Sequence, residues 1–103
     1  MVKLALMCKS HNYELMNNKS TENTIRVGDW VISKARRQEL INSVVVLTEA
    51  QSSPAYMGGK IVEFVPLNNG KCQVVFDEDE TYVGNKEATG HRGWGCGRGV
   101  CYV

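Results

Sequence analysis

The side chains best suited to chemistry lie near the two ends of the chain. Gly90-His91-Arg92-Gly93-Trp94-Gly95-Cys96-Gly97-Arg98-Gly99 holds half of the ten glycines. Glycines let a backbone approach a ligand closely, and successive amides can cradle an anion. Arg92 and Arg98 add planar donors suited to a phosphate or a guanine edge, and Trp94 offers a face on which a base can stack. The competing reading is a tight loop between two strands, kept soluble by its arginines. No Gly-x-x-x-x-Gly-Lys-Ser/Thr phosphate loop is present.

Two other chemistries use the same residues. Cys8-x2-His11 could meet His91, Cys96 and Cys101 if the terminal strands were neighbours, giving a zinc set. That spacing is looser than the Cys-x2-Cys pairs of most zinc sites, so no metal and no cofactor is expected. Cys96 or Cys101 beside His91 could form a thiol nucleophile with its base, and Arg92 and Arg98 would favour the thiolate. Nearness in sequence is weak support for a geometry that must be spatial, so binding is favoured over catalysis.

A second basic group, Lys34-Ala35-Arg36-Arg37, follows a strand ending at Ser33. It reads as a solvated helix end, or as a rim of charge guiding a phosphate into a cleft. Trp30, entering that strand, reads as a core plug or as an aromatic wall. Asp77-Glu78-Asp79-Glu80 reads as a solvated acidic turn. Net charge is only +1, so a polyanion would have to be met by a local patch rather than by bulk charge.

The elements that must position these groups are mostly strands. Lys3 to Met7 reads as the first. Asn12 to Thr24 is polar, with room for a short helix around Glu14 to Lys19. Gly28-Asp29 reads as a turn opening the strand Trp30-Val31-Ile32. Lys34 to Asn42 is either a helical turn or a polar crossing, and Ser43 to Thr48 is a β-branched strand. Met57-Gly58-Gly59 introduces the strand Lys60 to Val65, which Pro66 ends. Asn68-Asn69-Gly70-Lys71 turns a hairpin back into Cys72 to Phe76. Thr81 to Val83 is a further short strand, and Val100 to Tyr102 closes the set. With 103 residues the chain suits one core, so residues 1–103 read as a single domain. The fold class is mainly β: a small SH3-like or PUA-like barrel of five or six strands with one or two short helices.

This pattern resembles the PUA-like small barrels, including ASCH and EVE domains. The resemblance rests on Gly28-Asp29 before Trp30-Val31-Ile32, on Gly58-Gly59-Lys60-Ile61-Val62-Glu63-Phe64, and on Gly97-Arg98-Gly99-Val100-Cys101-Tyr102. It spans roughly residues 17 to 103. Of the ASCH pattern Gly-x-Lys-x-x-Glu-x-Arg the chain keeps Lys19 and Glu22, with Asn17 and Thr24 in place of the glycine and arginine. The resemblance implies a module that binds RNA, modified bases in DNA, or nucleotides in a cleft beside an aromatic wall.

The expected function is therefore non-catalytic binding of a nucleic acid, modified base or nucleotide-like ligand. The expected site comprises Trp30, Arg36, Arg37, Arg92, Trp94 and Arg98. The alternative is an SH3-like protein-interaction domain or a small inhibitor acting on a partner protein. No apolar run suits a membrane span and no cleavable leader is evident, so a cytoplasmic location is expected. Exposed strand edges could pair two copies into a homodimer.

Overall fold

A computed structural model describes residues 3–8, 13–16, 24–92, 94 and 99–103. Its strands are β1 (Leu4–Met7), β2 (Tyr13–Met16), β3 (Thr24–Trp30), β4 (Val44–Thr48), β5 (Ala55–Pro66), β6 (Cys72–Glu78) and β7 (Val100–Tyr102). One helix, α1 (Lys34–Leu40), links β3 to β4, and a 3-10 turn covers Glu80–Tyr82. The strands form one mixed sheet of seven, in the order β2-β3-β6-β5-β4-β1-β7. β1 runs parallel to β4, and the other ladders are antiparallel.

Period-two alternation sorts the side chains onto two faces. Leu4, Leu6, Ile25, Val45, Leu47, Val74, Phe76 and Val100 fill a main core on one face, sealed by Ile32 and by Leu40 of α1. Ala5, Val46 and Cys101 point the other way, where Ala55, Ala88 and Trp94 cover them. Central strands buried on both sides read as continuous apolar runs, as Val44-Val45-Val46-Leu47 does.

The sheet curls toward its main core. β3 and β7 stand five places apart in the strand order, yet the end of one approaches the start of the other. A Cβ on Gly99 would lie 3.5 Å from Cζ3 of Trp30. No ladder joins the outer strands β2 and β7 among the described residues. α1 lies over the main core, into which its Leu40 is sunk.

The mainly β expectation holds, and several local expectations change. The sheet has seven strands, not five or six. β2 occupies Tyr13–Met16 where a short helix was one option, because it pairs with β3. Gly28-Asp29 is not a turn but lies inside β3, where the register with β6 shifts between Val27 and Trp30. Such a bulge re-aims the strand end without stopping it. Gly58 and Gly59 likewise sit within β5. They admit close neighbours: a Cβ on Gly59 would collide with the Asp77 carbonyl of β6. Glu80–Tyr82 is a 3-10 turn rather than a strand, because the Asp79 carboxylate accepts from the Thr81 N–H at 3.0 Å and caps it. Half of the acidic block belongs to strand β6, which continues to Glu78.

The helix reading of 34–42 resolves through its caps. Ser33 Oγ accepts from the Arg36 N–H at 3.3 Å. Asn42 takes the left-handed conformation, φ 68°, just past the C-terminal end. The β5–β6 hairpin turns as expected, with Gly70 at φ 81°.

Candidate functional site: a cationic cleft beside the helix

A cleft of about 750 Å³ opens between α1, the β5–β6 turn and strand β7. Its cations are Lys34, Arg36 and Arg37 from the helix and Lys71 from the turn. Val31, Pro66 and Leu67 form an apolar lip, and Tyr102 supplies an aromatic ring. Among the described lining residues there is no carboxylate. Two acids stand at the rim as partners: Glu39 at 3.3 Å from Arg36 and Asp29 at 3.7 Å from Lys71. Four cations against two rim acids leave the cleft positive.

Each charge is held differently. Arg37 is a clip: its Nε donates to the Ile32 carbonyl at 2.9 Å and its Nη2 to the Gly70 carbonyl at 3.2 Å. It thereby ties the segment leaving β3 to the β5–β6 turn. It also stands beside the Cys72 thiol, which burial pushes up in pKa and the guanidinium partly pulls back. Arg36 is less constrained. Its guanidinium carbon lies 4.6 Å from the centroid of the Tyr102 ring, within cation–π range. Val100 and Tyr102 share one face of β7, so the alternation that buries Val100 in the main core also aims Tyr102 toward the cleft.

Of the six residues expected from sequence, the five described ones do not line one cleft. Arg36 and Arg37 line the cleft. Trp30 packs against the main core just before the lining residue Val31, and its buried Nε1 has no hydrogen-bond partner among the described residues. Trp94 lies apart from the cleft. It is 3% exposed, in the cluster on the opposite sheet face, and its Nε1–H donates to the Ala88 carbonyl at 2.7 Å. A ring so enclosed has no face to offer a base, and the two tryptophans cannot wall one site. Arg92 is exposed and does not line the cleft. Arg98 lies outside the described residues.

Residues missed by the sequence reading are Tyr102, Lys71 and the lip of Pro66 and Leu67. A closing strand ending in an aromatic was legible, but what that aromatic would face was not.

Cys101 Sγ is 3.4 Å from His91 Nδ1, so that thiol and imidazole do meet. Cys101 is fully buried, which closes its sulfur to a substrate. Cys8 packs on the main-core face and Cys101 on the other, so the sheet separates two proposed zinc ligands. His11 and Cys96 lie outside the described residues. Cys8, Cys72 and Cys101 are unbridged thiols. No helix among the described residues is long and apolar enough to cross a membrane.

No protein-family model, curated protein or solved structure matches the chain.

Proposed function

We propose that the chain is a non-catalytic binding module, related in kind to the PUA-like barrels, that holds a nucleic-acid strand or nucleotide in the cleft beside α1. The observation carrying this reading is the grouping of Lys34, Arg36, Arg37 and Lys71 around an open cleft whose described lining has no carboxylate and includes one aromatic ring. Phosphates are drawn by grouped cations, and bases stack on aromatic rings. The apolar lip suits the less polar faces of a base or sugar. Trp30 supports the cleft from the core rather than lining it. Trp94 and Arg92 take no part.

Fluorescence anisotropy with labelled single-stranded oligonucleotides, at two salt concentrations, tests this reading. Saturable binding that weakens as salt rises is expected. Lys34→Ala or Lys71→Ala should each lower the salt slope by about one unit or less. A wild-type protein that binds no oligonucleotide at low salt overturns the reading.

A further inference from the structure

The Tyr102 ring is covered by a side chain of the cleft itself. The Arg36 guanidinium carbon stands 4.6 Å from the ring centroid. Atoms in van der Waals contact sit about 3.5–4.0 Å apart, so a base lying between two planes needs a gap of about 7 Å. The observed gap is too small. Any base that stacks on this face of Tyr102 must first lift Arg36 away.

Arg36 is able to move. It has one further partner, the Glu39 carboxylate at 3.3 Å, and both side chains of that pair are more than one-third exposed. Neighbouring Arg37 is fixed to two backbone carbonyls and cannot replace it. Tyr102 is held against the main core and stays in place as the floor.

We propose that Arg36 and Tyr102 form a gated base slot: Arg36 caps the ring, and an incoming base displaces it onto the phosphate or the outer face of the base. This rests on the cleft being the nucleic-acid site. It adds that the cleft selects ligands carrying a base over ligands carrying phosphate alone. It also assigns the selection to one ring, Tyr102, and the gate to one cation, Arg36. The capped state lowers apparent affinity by the fraction of molecules in which the slot is open.

The test compares two probes of equal length and charge: a short oligothymidylate and the same deoxyribose-phosphate chain without bases. Each is titrated against wild type, Tyr102→Leu, Tyr102→Phe and Arg36→Ala. Wild type should bind the base-bearing probe on the order of ten-fold more tightly, as one stacked base gives. Tyr102→Leu should reduce that ratio to about one, and Tyr102→Phe should keep the ratio. Arg36→Ala should weaken the abasic probe and leave base preference at least as large, because the ring is then uncovered. Thermal melting confirms that each variant is folded. If wild type binds both probes equally, or Tyr102→Leu keeps the full ratio, the slot is wrong while the cationic cleft stands. If wild type binds neither probe, both readings fall together.

Discussion

Arg36 reaches across the cleft to lie 4.6 Å over the ring of Tyr102, joining α1 to the last strand of the sheet. The contact connects residues 66 positions apart, brought together by the curl that carries β7 toward the end of β3. The charged and aromatic parts of the cleft thus come from separate elements of the fold.

Arg37→Ala and Arg36→Ala should separate structure from binding. Arg37 bridges two backbone carbonyls, and its loss should lower unfolding stability by about 1–2 kcal/mol, as charged hydrogen bonds do. Arg36 makes a largely exposed ion pair and a ring contact, so its loss should cost about 0.5 kcal/mol or less. Urea denaturation followed by far-UV circular dichroism checks both. Equal losses would remove the distinction between clip and gate.

Trp94 is expected to act on stability alone. Trp94→Ala should cost about 3–5 kcal/mol, because it empties a packed site on the second face. Trp94→Phe should cost about 1 kcal/mol by removing the indole donor to the Ala88 carbonyl, which keeps its bond from the His91 N–H. Oligonucleotide affinity of folded Trp94→Phe should equal wild type. A drop in affinity without a change in fold would return the glycine-rich loop to the site.

Tyr56 sets an alkaline limit on stability. Its hydroxyl donates to the Cys8 carbonyl at 2.9 Å, and burial, followed by the neighbouring Cys8 side chain, raises its pKa above the ordinary value of 10.0. Above pH 10.0 the unfolded chain releases this proton while the folded chain keeps it, so stability falls as pH rises. Tyr56→Phe should flatten that slope and cost about 1 kcal/mol at neutral pH. Denaturation midpoints at a series of alkaline pH values supply the measurement. A slope unchanged in the variant would place the titration elsewhere.

At the acid end, Glu87 is paired with Lys3 at 2.7 Å, which holds its carboxyl below the usual value of 4.5. The pair's contribution is present above about that pH and is lost as pH falls through the depressed value. Both groups are substantially exposed, so Glu87→Gln should cost about 0.5 kcal/mol at pH 7 and nothing once the carboxyl is protonated. A cost that persists unchanged below that range would refute the pairing.

Most of the strands were legible because local chemistry dictates them. The β-branched run at Val44–Thr48, the Asn69-Gly70 turn and the closing Val100–Tyr102 each carry their own signal. The misreadings cluster where tertiary contact overrides local preference. Gly28 and Gly59 look like turn residues, yet both sit inside strands; Gly59 leaves room for the Asp77 carbonyl of β6. The site was half legible. Lys34-Ala35-Arg36-Arg37 announced a basic rim, but Trp94 looked like a binding wall because sequence does not reveal which sheet face a loop covers. Lys71 and Tyr102 joined the rim only through long-range closure, which no local spacing encodes.

The most direct test of the cationic cleft is amide chemical-shift mapping of the labelled protein titrated with a single-stranded oligonucleotide at low salt. The account predicts saturable shifts concentrated at Val31–Arg37, Leu67–Lys71 and Val100–Tyr102, with little change around Ala88 to Trp94. Shifts centred on the Ala88-to-Trp94 loop with the cleft unmoved, or no saturable shifts at all, would contradict it.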